Sequence, residues 1–573
     1  MKGVGRRGFF KLLSLVAPAL ARSADLAAAP AQTRERVTPS LIAASEKLAG
    51  LKFTDSEREQ MVDGVAENLD RYQAIRALAI GPEIQPAFRF DVDPPGVSVE
   101  IPPSASGVRL SPRTSRARPS DLDELAFAST ADLAEMIRTR RVSSLELTTM
   151  YLDRIRKYDP QLLSVITLCE ELALKQAKRA DNEIARGQYR GPLHGIPWGP
   201  KDVLAVKEYR TTWGAAPYKD QVIDHDATVV QRLEAAGAVL IAKLSLGETA
   251  RGTDGSVWFG GMTRNPWNLA EGASGSSAGP ASATAAGLCG FSLGGDTRGS
   301  IILPCNRCGA SGLRPTFGTV SRHGAMVLAW TMDRVGPICR TVEDCAIVFD
   351  AIHGADGKDA CARDVPFAWD ANQSPAGVRV GYAKKEFERN YAGRAADESS
   401  LAVLRKLGFD LVPIELPVFP HDALRLIMDA ETGASFDELT RSNQDDLLTG
   451  QDKGSRPNNL RHSRLIPAVE YIQACRARTL LMWQMSAAME NVDVLVAPSL
   501  GETVLRVTSL TGHPGVVVPN GFSDRDTPFS ITFLGGLFKD AQALTVAHAY
   551  QKATTFHLRH PARFQPRGDA SPR

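Results

Sequence analysis

Two serine-bearing glycine loops carry the chemistry that this sequence can perform. They lie between Asn265 and Gly309; the first contains the pair Ser276 and Ser277, and the second contains Ser300. Backbone amides in loops of this kind can turn inward and converge on one reacting atom. Lys201 lies far upstream, in the segment GPLHGIPWGPKD. We therefore predict hydrolytic chemistry in which a serine attacks and a lysine is the base.

Each of these side chains needs a particular setting in order to react. A serine hydroxyl is a poor nucleophile unless a neighbour accepts its proton. Lysine accepts a proton only when it is neutral, and burial favours the neutral form. The apolar segment 196–198 directly before Lys201 provides such a setting. A second hydroxyl can donate and accept at once, so Ser276 can pass a proton between Lys201 and Ser300.

The order of these motifs resembles the amidase signature family. The resemblance covers about residues 122–560 and rests on RGPLHGIPWGPKD, NPWNL, SGSSAG, GGDTRGS and CGASGLRPTFGTVSRHGAM, in that order. It implies an α/β fold in which helices cover both faces of a central mixed β-sheet. It also implies an amidase that cleaves carboxylic amide bonds of a small molecule through an acyl-serine, with esterase side activity. Neither a metal nor another cofactor is implied.

The resemblance gives a role to each reacting group. Ser300 is the nucleophile, Ser276 is the bridging residue beside a cis peptide bond, and Lys201 is the base that starts the proton relay. Four backbone amides form the expected oxyanion hole: those of Thr297, Arg298, Gly299 and Ser300. Loss of one such donor typically lowers the rate about a hundredfold to a thousandfold.

The chain departs from the family pattern at two positions. Arg298 takes the first of two places where the family usually has glycine, and a positive φ there would cost about 1–2 kcal/mol. Its guanidinium either reaches the substrate channel, where it would favour an anionic group, or forms a salt bridge with Asp296 or another carboxylate. Pro200 removes a backbone donor directly beside Lys201.

A different nucleophile is also consistent with the same loop. Residues 275–279 match the GxSxG nucleophile elbow of α/β-hydrolases, with Ser277 as the nucleophile. That motif needs a strand directly before the serine, and we predict that 266–272 is a poor strand. The elbow would also need a histidine base, for which the candidates are His323, His353, His513 and His548.

Several residues near the motifs have structural explanations. We expect His194 to pack in the core, Asp202 to hold its loop, and Ser277 to support the site by hydrogen bonding. Three tryptophans either line a substrate pocket or belong to the core: Trp198, Trp213 and Trp258. Cys305 and Cys308 form one CxxC, but neither a second CxxC nor a matching histidine pair completes a zinc site.

Composition restricts the possible partners. The 573 residues include 67 basic and 65 acidic side chains, and this balance gives no broad field for nucleic acid. Eight cysteines in so long a chain are not a disulfide framework. The N-terminus has Arg6 and Arg7 before a short apolar run, which resembles a twin-arginine export signal. We therefore expect the twin-arginine machinery to deliver the protein to the periplasm or the medium; the alternative is a basic, frayed N-terminus.

The chain outside the motifs predicts how they are positioned. Thr54 and Glu57 form a capping box ahead of a helical stripe. Asp226 is predicted to cap a helix that Gly237 ends, before a strand over 239–244. Further strands are predicted at 378–382, 409–416, 492–497, 516–519 and 530–534. The expected segments are a signal peptide (1–31), a helical extension (32–90), a Pro/Ser-rich connector (91–121), the amidase domain (122–565) and a tail (566–573).

Two other functions fit parts of this pattern. The chain could be an amidotransferase subunit that passes ammonia to a partner, although the export signal and the extension argue against that role. It could also be a catalytically decayed binding subunit, with Arg298 and Pro200 marking the decay. Substrate selectivity is expected in the loops 209–218 and 251–259 and in parts of 423–464.

Overall fold

A computed structural model of the chain describes residues 36–76, 84, 89–93, 96, 99–101, 107–113, 117–252 and 255–566. The predicted signal peptide and all of the predicted tail after residue 566 lie outside these residues. The chain divides into two compact units, and the division falls directly after Ile84. Within the described residues, no helix is both long enough and apolar enough to cross a bilayer.

The first unit consists of helices α1 (Pro39–Leu48) and α2 (Asp55–Arg76). The predicted capping box begins α2, because the Glu57 carboxylate accepts the Thr54 N–H at 2.6 Å and the Thr54 hydroxyl accepts the Glu57 N–H at 3.3 Å. Arg58 of α2 forms an ion pair of 2.6 Å with Glu46 of α1. The ion pair joins the two helices of the unit.

The second unit alternates helices and strands, as the sequence predicts. Its helices are α3 (Thr130–Arg138), α4 (Ser144–Leu162), α5 (Glu170–Ala185), α6 (Thr228–Ala235), α7 (Ala278–Ala285), α8 (Ile302–Cys308), α9 (Val342–Ile352), α10 (Lys384–Glu388), α11 (Arg394–Lys406), α12 (Arg425–Ser435), α13 (Asp437–Arg441), α14 (Arg456–Ser463), α15 (Ala468–Met489), α16 (Glu502–Leu510) and α17 (Asp540–Lys552). Short 3-10 turns lie at Leu122–Leu125, Ala216–Tyr218, Glu248–Ala250, Gln444–Leu447, Phe556–Leu558 and Ala562–Phe564.

The strands are mostly short and buried. They are β1 (Gly107–Arg109), β2 (Val165–Leu168), β3 (Pro197–Pro200), β4 (Val239–Leu240), β5 (Ala242–Leu244), β6 (Val257–Trp258), β7 (Gly261–Met262), β8 (Arg264–Asn265), β9 (Asn268–Gly272), β10 (Phe291–Asp296), β11 (Ser311–Arg314), β12 (Arg334–Cys339), β13 (Ala368–Asp370), β14 (Val380–Ala383), β15 (Val412–Ile414), β16 (Val494–Pro498), β17 (Gly515–Phe522) and β18 (Pro528–Gly535). Ten of them form one mixed sheet, and helices cover both of its faces. The strand order is β15-β14-β16-β18-β17-β11-β12-β10-β3-β4.

The sheet brings the predicted motifs to one edge. Strands β3 and β10 are parallel neighbours, with Pro200 opposite Leu293. Parallel strands place their carboxyl ends at the same edge of a sheet. Lys201 directly follows β3, and its N–H donates to the Leu293 carbonyl at 2.9 Å. The loop 297–301 directly follows β10, so Lys201 and Ser300 approach the same point.

Three local predictions are wrong or incomplete. Asp226 does not cap α6, because its side chain accepts the Lys207 N–H at 2.8 Å and Ala227 takes the capping position without a side-chain bond. The predicted strand over 239–244 is divided between β4, which pairs with β3, and β5, which pairs with β2. The predicted connector also contains a strand, because β1 pairs in parallel with β13.

Candidate active site

Lys201 and Ser276 form the centre of the site. The Lys201 Nζ lies 2.7 Å from the Ser276 Oγ and 3.3 Å from the carbonyl oxygen of Gly295. Both side chains are about 1% exposed. The amine is therefore held against one hydroxyl in a site closed to bulk water.

Burial adjusts this amine for proton transfer. It lowers the pKa of Lys201 from 10.5 to about 7, while the charges of Asp296 and Asp333 act in the opposite direction. A group with a pKa near the working pH can both take up and release a proton in a catalytic cycle. Lys201 can thus be neutral at neutral pH, as a base must be.

Ser277 links the serine pair to the second loop. The peptide bond between Gly275 and Ser276 is cis, as the resemblance implies. The next residue, Ser277, donates its backbone N–H to the Ser300 carbonyl at 3.2 Å. Its hydroxyl donates to the Gly295 carbonyl at 3.0 Å, and the Gly295 N–H lies 3.2 Å from the same Oγ. Ser277 therefore supports the site by hydrogen bonding, as predicted, and its backbone brings the Ser300 loop beside Ser276.

Asp296 organises the turn that carries Ser300. Its carboxylate accepts the Gly299 N–H at 2.6 Å and the Ile301 N–H at 2.7 Å. In this structure the Gly299 amide, one of the four expected oxyanion-hole donors, is bound to the carboxylate. The remaining candidate donors are the amides of Thr297, Arg298 and Ser300. Ser300 itself is partly exposed, as a nucleophile that meets substrate must be.

Asp333 is a supporting residue that the motifs do not reveal. It accepts the Thr297 hydroxyl at 2.6 Å and, on its other oxygen, the N–H groups of Leu328 and Ala329. Burial raises the pKa of Asp333 above 3.8. Its carboxyl thus connects the nucleophile loop to the segment before β12. Only its position in the fold gives it this role, since it lies outside every catalytic motif.

For Arg298, both the backbone conformation and the ion pairing differ from what was expected. The positive φ in this loop belongs to Gly299, at 101°, so Arg298 avoids the expected strain. The expected salt bridge to Asp296 is absent, because that carboxylate faces the backbone amides of the turn. Instead, the Arg298 side chain lines a small pocket with Arg425 and Arg506. The pocket thus joins the nucleophile loop to the predicted selectivity segment 423–464.

The residues around Lys201 have the structural roles expected of them. Asp202 accepts the N–H and hydroxyl of Thr212, at 2.8 and 2.5 Å, and forms a buried 2.6 Å ion pair with Lys243. His194 is buried, and its Nδ1 accepts the Arg190 N–H at 3.1 Å. Trp198 stacks on Phe291 with ring centroids 5.8 Å apart. The indole of Trp258 donates to the Leu163 carbonyl at 3.2 Å, and Trp213 is buried as well.

The nucleophile-elbow alternative loses its required base. The expectation of a poor strand before Ser277 is wrong, because β9 forms there and pairs with β8 in a two-stranded hairpin. However, the Ser277 hydroxyl is engaged with Gly295, as described above. The candidate histidines have other neighbours: His513 lies 2.8 Å from the Thr511 hydroxyl, His353 lies 2.8 Å from the Asp350 carbonyl, His548 packs on Trp369, and His323 stacks on His225. The geometry favours Ser276 and Lys201 over the elbow.

Seven of the eight cysteines are buried, and Cys475 is partly exposed. All eight are free thiols, and Cys305 and Cys308 of the CxxC are fully buried on α8. Burial raises the pKa of Cys305 far above 9.0, so its reactive thiolate form is disfavoured. Within the described ranges, no group of three or more His, Cys, Asp or Glu residues is placed to hold a metal ion.

Comparisons with known proteins bear on the family and the fold. A family model described as Amidase matches residues 146–544. The A-subunit of the glutamyl-tRNA(Gln) amidotransferase from Methylococcus capsulatus is 34% identical over 477 residues, which cover 75% of this chain and 98% of the relative. The native peptide amidase of Stenotrophomonas maltophilia is 31% identical, with a TM-score of 0.68, and the match covers 75% of this chain and 98% of that structure. A bacterial aryl acylamidase is 23% identical with a TM-score of 0.65, covers 75% of this chain and 97% of that structure, and supports the fold alone.

Proposed function

The chain belongs to the amidase signature family, and on that premise we propose that it hydrolyses carboxylic amide bonds through an acyl-serine intermediate. The observation that carries the proposal is the 2.7 Å contact between the Lys201 amine and the Ser276 hydroxyl in a buried site. A neutral amine in this position can begin proton transfer without a metal or a nucleotide. We assign Ser300 as the nucleophile, Ser276 as the bridge and Lys201 as the base.

The acylation step follows from these assignments. Ser300 Oγ attacks the amide carbon and gives its proton to Ser276, while Ser276 passes its own proton to Lys201 Nζ. The carbonyl oxygen becomes an oxyanion, which the amides of Thr297, Arg298 and Ser300 stabilise. The relay then runs in reverse and protonates the nitrogen, the carbon–nitrogen bond breaks, and the amine leaves.

Deacylation uses the same groups on water. A water molecule attacks the acyl-serine ester and gives its proton through Ser276 to Lys201. The ester bond breaks, Ser300 regains a proton, and the carboxylic acid leaves. Because the intermediate is itself an ester, ester substrates should also be hydrolysed.

Labelling with a fluorophosphonate tests the nucleophile directly. We expect the purified protein to be labelled at Ser300 and the Ser300→Ala variant to remain unlabelled. Ser277→Ala is the matched control, since its hydroxyl supports the loop but does not attack; it should still be labelled. Label on Ser277, or undiminished amide turnover by Ser300→Ala, would refute the assignment.

The structural likeness to a peptide amidase guides the choice of substrates. We propose small amides as the substrate class and place peptide amides in the first panel, beside simple amides, carbamates and esters. Hydrolysis of an amide or peptide amide faster than of a carbamate would support this choice. Turnover of carbamates alone would contradict it.

An amidotransferase role is the second candidate, and the match to 98% of an amidotransferase A-subunit favours it. In that role the chain would pass ammonia to a partner, whereas an amidase releases it to water. The purified chain alone should therefore hydrolyse amides other than glutamine if our proposal is right. Activity restricted to glutamine, or present only with added partner subunits, would favour the amidotransferase. Absence of any fluorophosphonate label would favour a decayed binding subunit.

We also propose that the protein is exported by the twin-arginine machinery. The support is the pair Arg6 and Arg7 before the apolar run in the N-terminal sequence. Replacing both arginines by lysine should retain the protein in the cytoplasm, as measured by cell fractionation and immunoblotting. The same double replacement at Arg34 and Arg36, beyond the predicted signal peptide, is the control and should leave export unchanged. Equal export of both variants would refute the proposal.

A further inference from the structure

A small pocket beside the nucleophile loop collects three arginines. We call it the arginine pocket, and its cationic residues are Arg298, Arg425 and Arg506. Its apolar wall comes from Met332, Met428 and Leu510. The cavity measures about 10 Å³, which is room for one water-sized group. This space is smaller than a carboxylate group, so such a group enters only if the side chains of the pocket move apart.

Two of the three arginines are already paired with carboxylates. Arg425 lies 3.2 Å from Asp429, and Arg506 lies 2.7 Å from Glu502 and also contacts Asp422. In the described part of the chain, no carboxylate forms an ion pair with Arg298. Arg298 thus has no direct carboxylate partner among these described residues, while Asp429 and Glu502 act on its charge from beyond ion-pair distance.

The surroundings of Arg298 make this charge costly in the free protein. Burial lowers the pKa of Arg298, and the charges of Arg425 and Arg506 lower it further, whereas those of Asp429 and Glu502 act in the opposite direction. Arginine remains protonated in proteins, so the charge persists and gains from any anion that enters. The guanidinium has a planar fork of donors that matches a carboxylate with two parallel hydrogen bonds.

We propose that the arginine pocket binds a carboxylate carried by the amide substrate, so that the enzyme prefers anionic amides. The inference rests on the proposed amidase function and names its substrate class. Asp422 also lines the pocket and reduces the positive potential, which favours a single negative charge over a phosphate dianion. Arg298 lies two positions before Ser300, so the pocket borders the nucleophile loop.

Matched substrates test the preference. Succinyl 4-nitroanilide carries the carboxylate on the acyl side, and pentanoyl 4-nitroanilide is its neutral partner. The pair 4-acetamidobenzoate and acetanilide makes the same comparison on the amine side. We expect the wild-type kcat/KM to be at least about tenfold higher for the anionic member of one pair, the range expected for a hydrogen bond to a charged group.

Substitution of Arg298 assigns the preference to the pocket. Arg298→Met should reduce the anionic-to-neutral ratio of kcat/KM by about tenfold or more, and Arg298→Lys should restore part of it. Arg405→Met removes an exposed arginine on α11 and should leave the ratio unchanged. Equal losses on both members of a pair would overturn the proposal, as would a wild-type enzyme without a preference on either side.

A protection experiment separates this proposal from the proposed function. Succinate should slow fluorophosphonate labelling of wild-type Ser300 but not of Arg298→Met, and neutral butyramide should protect the two equally. If Ser300 is labelled and succinate gives no protection, the arginine pocket is wrong and the serine nucleophile stands. If Ser300 is not labelled at all, the proposed function fails first and the pocket proposal fails with it.

Discussion

The carboxylate of Asp296 accepts the backbone N–H of Gly299 at 2.6 Å, and its second oxygen accepts the Ile301 N–H at 2.7 Å. The last residue of β10 therefore closes the turn that presents Ser300. The same carboxylate acts electrostatically on Lys201, whose pKa it raises against the effect of burial. One side chain thus affects both the shape of the nucleophile loop and the basicity of the catalytic amine.

Replacing Asp296 by asparagine should lower kcat while leaving KM nearly unchanged. The asparagine side chain has one acceptor oxygen and so must leave one of the two loop amides unpaired. Displacement of the loop by about 1 Å would cost roughly a hundredfold in rate. Steady-state kinetics on one amide substrate measures the split between kcat and KM. A variant with wild-type kcat would show that Asp296 does not hold the catalytic turn.

The pH profile reports the base. If Lys201 must be neutral, kcat/KM rises with pH and levels off above about 7, the pKa that burial gives this lysine. In Asp296→Asn the rise of kcat/KM should move to lower pH, because the negative charge that raises the pKa of Lys201 is removed. Asp410→Asn, an exposed change well away from the site in the sequence, is the control and should not move it. A rise of kcat/KM near pH 10 in the wild type would mean that Lys201 titrates like an exposed lysine.

The Lys201→Met variant should be inactive but more resistant to unfolding at neutral pH. The folded chain lowers the lysine pKa, so between about pH 7 and 10.5 the unfolded chain binds the extra proton. This binding favours unfolding; the penalty is full below about pH 7 and declines as pH rises from 7 to 10.5. Thermal unfolding at pH 7.5 should therefore show a higher Tm for Lys201→Met than for wild type. The free energy of unfolding should rise by an amount on the order of a few kcal/mol, less the contribution of the hydrogen bonds that Lys201 loses.

The pH dependence of the Tm difference between Lys201→Met and wild type tests this explanation. The advantage of Lys201→Met should shrink steadily between pH 7 and 10.5 and vanish above 10.5, where the wild-type lysine is neutral in both states. A lower Tm than wild type at every pH would mean that the hydrogen bonds of Lys201 outweigh the cost of its burial.

The sequence is sufficient to predict the fold class and the meeting of Lys201 with Ser276, because an ordered series of specific motifs carries both. It does not reveal Asp333, since one carboxylate outside every motif is indistinguishable from a surface residue until the chain folds. Asp226 misleads for a similar reason: a competing backbone N–H, that of Lys207, takes the carboxylate that would otherwise cap α6. Strand β9 has poor strand composition and is stabilised by its pairing with β8, which local propensity does not include.

The buried ion pair of Asp202 and Lys243 makes a prediction about stability. Both side chains are fully buried and lie 2.6 Å apart. Lys243→Met removes the cation and leaves a buried carboxylate, which typically costs about 3–5 kcal/mol. The double variant with Asp202→Asn should recover part of this loss, because neither charge then remains. Denaturant titrations of the single and double variants measure the coupling, and a simple sum of the two single effects would contradict a direct pairing.

Close packing behind the serine pair predicts a second sensitive position. A Cβ on Gly279, in the first turn of α7, would lie 2.3 Å from the Ser245 nitrogen and 2.6 Å from the carbonyl oxygens of Ser164 and Ser245. These neighbours are backbone atoms, so they cannot move aside as a flexible side chain would. Gly279→Ala should therefore lower stability by about 1–3 kcal/mol and displace the turn that begins at Ser277, with a loss of activity.

Gly64→Ala is the matched control: Gly64 lies within α2, and a Cβ there meets no atom within 4 Å. That variant should keep full activity and gain up to about 1 kcal/mol in the helix. Wild-type Tm and activity in Gly279→Ala would show that α7 can shift without disturbing the serine pair.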